Sequence, residues 1–184
     1  PRTARIQMPL TLYPGTPTLE RWRSLQLIWL RSFSLDIPFT QVVGATGALV
    51  THGDQSGGYG VYVVDNGIPV LVHNNGRGAM TEVRGTPLGV GDHTIVGVFE
   101  AIGSNRWRMS MTVDGVPAGE AAEVPMLYGI SPFEGISIGR DPRSPVWWER
   151  HVTHGASRWP APQGPVTITP GAAAPDLGAD IIAT

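Results

Sequence analysis

Two short polar clusters lie at the ends of neighbouring predicted strands and could carry ligand chemistry. His52 and Asp54 flank a glycine in one turn, and His73 with Asn74 ends the strand that runs back beside it. If strand pairing brings both clusters to one sheet end, imidazole and oxygen ligands could converge there on a small molecule. Asn and Gly at strand ends are also ordinary turn residues, so a structural role stays open.

Other pairs of titratable residues lack the partners that catalysis or metal binding needs. His151 and His154 lie three apart in a loop, without a third histidine or a carboxylate cluster. Glu120 and Glu123 do not reproduce the Glu-x-Asp-x-x-Glu spacing of sandwich glycosidases. The absence of Cys excludes disulfides, cysteine nucleophiles and thiolate metal sites. We therefore expect no catalytic residue, no metal site and no cofactor in this chain.

Three tryptophans lie close together in the C-terminal part of the chain. Trp147, Trp148 and Trp159 fall in a long loop that is rich in proline. Exposed indole rings can stack on sugar faces or fill a groove in a partner, so this loop is predicted to be either a ligand-binding surface or an interdomain contact. The remaining tryptophans are predicted to lie in the core: Trp22, Trp29 and Trp107.

Charged residues flank a short apolar strand at 136–138. Glu134 precedes this strand, and Arg140 and Asp141 follow it. The planar guanidinium of Arg140 suits a sulfate or another oxyanion. Alternatively, an ion pair among these three residues would fix the loop from Asp141 to Val146.

The elements that position these residues are predicted to be short strands. Apolar side chains alternate with polar ones from Arg31 to Phe39, from 93 to 99 and from 107 to 113, as in strands with one face on a core. The strand at 59–64 is apolar on both faces, which predicts a central position between two layers. The Asp-Asn-Gly sequence at 65–67 predicts a tight turn after it.

The composition favours strands and turns over helices. The 184 residues include 24 Gly and 17 Pro, which leave little room for long helices. The stretch from Leu25 to Leu30 is too short to predict a helix. Six or more short strands with glycine-rich turns predict an all-β, two-layer antiparallel sandwich. We divide the chain into a lead-in at 1–30, the sandwich at 31–170 and a linker or flexible tail at 171–184.

The charge and hydropathy of the chain limit its partners. A net charge of −2 provides no basic field for a phosphate backbone, so nucleic-acid binding is not expected. No run approaches the ~20 apolar residues of a membrane span. The compartment stays open, because a soluble chain of this composition could be cytoplasmic or exported.

Several segments, taken in order, resemble the C-terminal region of large bacterial arylsulfatases. The resemblance covers roughly residues 10 to 170 and its most specific segment is 133–141. It rests on these segments: 12–17 (LYPGTP), 31–35 (RSFSL), 47–50 (GALV), 57–63 (GGYGVYV), 91–94 (GDHT), 113–115 (VDG), 119–120 (GE), 133–141 (FEGISIGRD) and 144–146 (SPV). The segments from Trp22 to Trp29 and from Trp147 to Trp159 depart from the family pattern.

The resemblance implies a jelly-roll sandwich of the concanavalin A-like or laminin G-like type, appended to a sulfatase catalytic domain. A parent sulfatase would use a divalent cation and a formylglycine formed in a Cys/Ser-x-Pro-x-Arg motif, and this chain lacks that motif. No catalytic or metal residue is therefore transferred from the family. Because Glu134, Arg140 and Asp141 fall in the most specific segment, the resemblance favours a structural ion pair for them.

Two functions and a third possibility follow from these expectations. The first is a non-catalytic accessory domain that packs on an upstream sulfatase catalytic domain or shapes access to it. The second is a stand-alone lectin-like module that binds a carbohydrate or a sulfated ligand through the Trp147–Trp159 loop or the edge from His52 to Asn75. The third is an assembly module that buries an apolar patch against another copy or domain.

Overall fold

Two antiparallel β-sheets form the protein, as the sequence predicts. The computed structural model describes residues 6–127, 131–155 and 157–176. One sheet contains β1 (Leu10–Leu12), β2 (Arg31–Gln41), β7 (Gly91–Gly103), β8 (Arg106–Val113), β9 (Val116–Pro117), β10 (Ala122–Pro125) and β12 (Val166–Ala173). The other contains β3 (Gly47–Asp54), β4 (Gly57–Val64), β5 (Ile68–Asn74), β6 (Met80–Arg84) and β11 (Ile136–Ile138). Two short helices are α1 (Arg21–Ile28) and α2 (Trp148–His154).

The seven-stranded sheet has one face on the core and one face toward solvent. Its order is β1-β12-β2-β7-β8-β10, with β9 beside β8. Along β2 the side chains alternate between buried apolar residues and partly exposed polar ones, so Phe33 and Leu35 face inward while Ser34 and Asp36 face outward. This alternation is the pattern that predicts β2 from the sequence.

The five-stranded sheet is buried on both faces. Its order is β11-β3-β4-β5-β6, and every residue of β3 and β4 is buried. The predicted central position of β4 is thus confirmed. The predicted turn at 65–67 is confirmed too, because Asn66 and Gly67 adopt φ angles of 62° and 74° at the start of β5.

An aromatic cluster occupies the centre of the core between the sheets. Phe33 stacks on Phe99 with ring centroids 4.6 Å apart, and Tyr59 reaches across from the other sheet to both rings. Trp107 packs edge-on against Phe33 and Phe99, and its indole N–H donates to the carbonyl of Arg31 at 2.8 Å. The predicted core position of Trp107 is therefore confirmed.

A separate apolar cluster covers the outer face of the five-stranded sheet. Val146 and Trp147 pack on Tyr62 and its neighbours from β3, β4 and β5. These two residues belong to the segment 141–155, which we call the cover segment and which includes α2. A sheet with apolar residues on both faces needs such a layer, because its outer face would otherwise expose an apolar patch.

Both helices differ from the sequence-based expectation. The apolar stretch at 25–30 is too short to predict a helix, yet α1 begins four residues earlier, at Arg21. The carboxylate of Glu20 caps this helix by accepting hydrogen bonds from the backbone N–H groups of Trp22 and Arg23. This capping adds stability to a helix of only 8 residues. The second helix, α2, lies within the segment predicted as a loop.

The helix α1 also explains two wrong assignments to the core. Trp22 is 56% exposed and Trp29 is 38% exposed, because they lie seven positions apart on the side of α1 that faces away from the sheets. The buried side of α1 carries Leu25, Leu27 and Ile28 instead.

At the C-terminal end, β12 includes the first three residues of the segment that the sequence analysis assigns to a tail. Residues 177–184 of that segment lie outside the described residues. Within the described ranges, neither helix has the length and apolar character that crossing a bilayer requires.

Candidate functional site

Four chain segments meet at one end of the sandwich and enclose a cleft of about 610 Å³. They are the β3–β4 turn, the β5–β6 connection, the tip of the β7–β8 hairpin, and residues 125–127 with Ser131. We call this the loop-end pocket, and its lining residues are Ser56, Asn75, Gly76, Arg77, Ser104, Asn105, Arg106, Pro125, Met126, Leu127 and Ser131. It lies at the sheet end where the sequence analysis predicts an edge from His52 to Asn75.

The tip of the β7–β8 hairpin forms one wall of the loop-end pocket. Ser104 and Asn105 have φ angles of 52° and 56°, the conformation of a two-residue hairpin turn that Asn tolerates well. The turn is held by hydrogen bonds from the N–H of Ser104 to Asp176 at 2.6 Å and from the N–H of Met126 to the carbonyl of Asn105 at 2.7 Å. Its two side chains are thereby presented at a fixed position.

Asp54 holds the β3–β4 turn that forms the opposite wall. One carboxylate oxygen accepts from the N–H and hydroxyl of Ser56, and the other accepts from the N–H groups of Phe133 and Glu134 at 3.0 and 2.8 Å. Asp54 is buried and does not line the pocket. In this structure its hydrogen bonds fix the turn, and its predicted role as a ligand contact stays a prediction.

Asn74 has a similar role at the end of β5. Its amide N–H donates to the carbonyl of Val146 at 3.0 Å, and its oxygen accepts from the N–H of Gly76 at 2.8 Å. The next residue, Asn75, accepts from the N–H groups of Arg77 and Ala79 through its side-chain oxygen. In the described part of the chain, the NH₂ group of Asn75 has no protein partner, so it can donate to a ligand.

His52 and His73 belong to the core and not to the pocket. Both are paired in register with Tyr59, so the three side chains form one row across β3, β4 and β5. The Nδ1 atom of His52 lies 3.0 Å from the Tyr59 hydroxyl. Burial lowers the pKa of His52 to about 3 and that of His73 to about 4, so both rings are neutral at pH 7.

The loop tryptophans occupy three different environments. Trp159 is only 6% exposed and packs edge-on against Phe39, so it cannot offer a ring face to a ligand. Trp147 is partly buried against Tyr62. Trp148 is 46% exposed and stacks on His151 with ring centroids 5.8 Å apart. Of the three, Trp148 alone presents substantial indole surface to solvent.

The predicted ion pair among Glu134, Arg140 and Asp141 is replaced by other contacts. Glu134 pairs with Arg143 at 3.4 Å, and Arg140 donates to the carbonyl of Thr16 at 3.2 Å. Asp141 does fix the loop up to Val146, but through hydrogen bonds. Its carboxylate accepts from the Tyr62 hydroxyl at 2.7 Å and from the N–H groups of Val146 and Trp147 at 3.0 and 3.3 Å.

Two of these carboxylates have altered acidity. Burial raises the pKa of Asp141, although its three hydrogen bonds act in the opposite direction. Burial also raises the pKa of Glu134, despite its ion pair with Arg143. Neither group lines the loop-end pocket, so both belong to the structural support of the cover segment and the β10–β11 connection.

A second cleft, of about 460 Å³, lies at the other end of β2 and β7. There the ring of His93 contacts Asp114 through Nδ1 and the carbonyl of Gly89 through Nε2, each at 2.7 Å. Partial burial acts to lower the pKa of His93, but these two hydrogen bonds outweigh it and raise the pKa. Both ring nitrogens are therefore engaged in structural contacts.

The loop-end pocket offers hydrogen-bonding groups and positive charge. In the described part of the chain its lining contains amides, hydroxyls and two arginines, and neither a carboxylate nor a histidine. Among the described residues, no group of three or more His, Asp or Glu side chains is placed to hold a metal ion. His151 and His154 also lack the further ligands that a shared metal would need.

The sequence analysis missed most residues that line this pocket. Arg77, Ser104, Asn105 and Arg106 lie in turns whose positions relative to one another depend on long-range strand pairing. A signal existed in the Gly-Ser-Asn sequence at 103–105 between two alternating strands, which is typical of a hairpin turn. That signal places a turn but does not identify the loops that it meets.

No protein-family model and no curated protein matches the chain. Solved structures do share the fold. The CBM40 of the Ruminococcus gnavus IT-sialidase is 11% identical with a TM-score of 0.55, over 96% of this chain and 95% of that one. The same module bound to α2,3-sialyllactose is 14% identical with a TM-score of 0.50, over 83% and 81% of the two chains.

Domains LG4-5 of the mouse laminin α1 chain are also similar, with 13% identity and a TM-score of 0.54. The match covers 92% of this chain, which spans 41% of the laminin fragment. At these identities the similarity shows the fold alone, a laminin G-like and concanavalin A-like jelly-roll sandwich. None of these comparisons links the chain to a sulfatase.

Proposed function

We propose that this chain is a carbohydrate-binding module and that the loop-end pocket is its binding site. The observation that carries the proposal is a cleft of about 610 Å³, lined by amides and hydroxyls and bounded by turns that hydrogen bonds hold in place. Sugar recognition uses such polar groups to match ligand hydroxyls, and pre-ordered loops reduce the entropy lost on binding.

The structural similarities support this proposal over the others. A CBM40 of the same fold was solved with α2,3-sialyllactose, which is a property of that protein and serves here as an analogy. Most of the described residues that line the loop-end pocket are polar or positively charged, which suits ligand hydroxyls. The lectin-like module, which is the alternative function inferred from the sequence, would then bind at this sheet end.

A glycan array tests the proposal, with a matched pair of variants to locate the site. We expect Asn105→Gly to weaken binding of the array hits about fivefold, since it removes one neutral hydrogen-bonding side chain. Glycine keeps the positive φ of that turn. The control is Asn66→Gly, which makes the same change in a hairpin turn of equal φ sign at the opposite sheet end.

Trp148→Ala distinguishes the pocket from the tryptophan loop. We expect this variant to bind like the unaltered protein, because Trp148 does not line the pocket. If Trp148→Ala loses binding while Asn105→Gly retains it, the site lies on the loop and the pocket assignment is wrong. An array without any bound glycan would reject carbohydrate binding itself.

The accessory role in a sulfatase rests on the ordered sequence resemblance between residues 10 and 170. We carry it as a second proposal on that basis, and the two roles are compatible if the module delivers a catalytic domain to its substrate. The test is the coding sequence upstream of Pro1. A formylglycine motif there, with co-purification of the two domains, would support this role, and a different upstream domain would reject it.

A further inference from the structure

The charge of the loop-end pocket is opposite in sign to that of the whole chain. The chain carries 13 basic and 15 acidic residues. Among the described residues, the pocket lining includes Arg77 and Arg106 and no carboxylate, although the carboxylate of Asp176 accepts from the backbone N–H of Ser104 beside it. Two arginines in the lining of one cleft contribute positive potential to it, which favours an anionic ligand.

The two arginines are only weakly neutralised by their neighbours. Arg106 lies 3.8 Å from the carboxylate of Glu123 and donates to the backbone carbonyl of that residue at 3.0 Å. Arg108 shares the same carboxylate at 3.3 Å. The guanidinium of Arg77 is exposed and makes no ion pair in the described part of the chain. Both groups therefore keep donors for an incoming oxyanion.

The other side chains of the pocket suit the rest of a sugar. The amide of Asn75, the side chain of Asn105 and the hydroxyl of Ser104 can hydrogen-bond to ligand hydroxyls. Pro125 and Met126 supply apolar surface in the same cleft. A neutral monosaccharide would use these groups and provide no charged partner for the guanidinium of Arg77.

We propose that the pocket selects anionic saccharides, in which Arg77 and Arg106 contact a carboxylate or sulfate group of the glycan. This inference rests on the proposed carbohydrate-binding function and deepens it by naming the ligand class. The shared chemistry is a negatively charged oxyanion on a sugar ring. Carboxylated and sulfated sugars are its two sources, and the experiment below separates them.

Three lactosides measure the contribution of the anion. Isothermal titration calorimetry is performed with lactose, 3′-sialyllactose and 3′-sulfated lactose at low and high salt. We expect at least one acidic lactoside to bind about tenfold or more tightly than lactose, since a hydrogen bond to a charged group is stronger than a neutral one. The preference should decrease with salt, because these arginines are partly exposed.

Arg106→Gln and Arg108→Gln form the matched pair of variants. Both residues lie on β8, both contact Glu123, and both lose one positive charge, but only Arg106 lines the pocket. We expect Arg106→Gln and Arg77→Gln each to lower the affinity for the acidic lactoside about tenfold, and to lower it by a larger factor than the affinity for lactose. Arg108→Gln should retain the preference.

The outcomes separate the inference from the proposed function. Equal affinity for lactose and both acidic lactosides would overturn the inference and leave carbohydrate binding intact. An equal loss in Arg106→Gln and Arg108→Gln would also overturn it, because the effect would then be one of net charge. Absence of binding to all three lactosides would overturn it as well, while the glycan array decides carbohydrate binding separately.

Discussion

Buried histidines illustrate how a residue type with catalytic potential can have a structural role. His52 and His73 lie on either side of Tyr59 within the aromatic core, and the Nε2 atoms of both rings are buried without a partner among the described residues. Protonating either ring would place an unpaired charge between the sheets. Their depressed pKa values therefore report the cost of charging the core and not a catalytic role.

These histidines should make the protein acid-sensitive. A folded pKa of about 3 or 4, below the ordinary 6.5, means that the unfolded chain binds protons first as the pH falls. Stability is then full above pH 6.5 and decreases below it, with a slope that approaches about 1.4 kcal/mol per pH unit for each histidine. Urea unfolding between pH 6.5 and 5 measures this slope.

The variant His73→Gln is expected to flatten that slope by the share of one histidine. His93 does not alter the slope between pH 6.5 and 5, because its pKa is raised in the folded protein. Its contribution to stability is lost only above pH 6.5, as the pH rises through the folded pKa. The control is His154→Gln at an exposed position. Identical slopes for unaltered protein and His73→Gln would show that His73 does not titrate abnormally.

At the scale of elements, close approach between turns determines the shape of the pocket. Gly76 in the β5–β6 connection lies directly against the backbone of Ser56 in the β3–β4 turn, and a Cβ atom there would overlap the Ser56 carbonyl. Gly78, three residues from Asn75, has a similar positive φ but open space around it. The two glycines thus separate the effect of backbone conformation from that of steric contact.

We expect Gly76→Ala to destabilise the protein more than Gly78→Ala. Both substitutions place alanine at positive φ, which costs about 1 kcal/mol, and only the first also forces two turns apart. Thermal unfolding should show an additional loss of about 1–3 kcal/mol for Gly76→Ala, as found for overpacking. Equal losses would mean that the turns separate without cost, and the pocket wall would then be less rigid than we infer.

The sequence predicts elements with strong local patterns and misses those that depend on tertiary contacts. Alternation at Phe33, Leu35 and Ile37 predicts β2, and Asn66 predicts a turn. By contrast, β6 is short and lacks a clear alternation, and α1 depends on its Glu20 cap and on packing against β2 and β12. The pocket was not predictable, because it brings together turns that are far apart in the sequence.

For the whole molecule, the five-stranded sheet joins two apolar layers of different character. Tyr59 and Tyr62 both lie on β4 and both are fully buried, but they project to opposite faces. The hydroxyl of Tyr59 contacts a neutral histidine in the core, whereas that of Tyr62 donates to the Asp141 carboxylate under the cover segment. Removing each hydroxyl tests how firmly the corresponding layer is held.

Tyr62→Phe should cost more stability than Tyr59→Phe. A neutral hydrogen bond contributes about 1 kcal/mol, whereas loss of the hydroxyl beside a buried carboxylate costs about 1.5–3 kcal/mol. In addition, hydrogen exchange in residues 146–154 should increase only in Tyr62→Phe. The reverse order of the two losses would indicate that Asp141 is not the residue that fastens the cover segment.

Different residues hold the turns of the pocket and provide its side chains, and this division has a consequence for directed evolution. The turns are held by Asp54 and Gly76, and side chains are provided by Arg77, Ser104 and Asn105. The first two residues brace the turns, while the other three contribute side chains that no core contact requires. A library randomised at 77, limited at 104 and 105 to Gly, Asn and Asp, which tolerate positive φ, and constant at 54 and 76 should therefore yield folded proteins at high frequency. New ligand preferences could be selected from it without compensating changes in the sandwich.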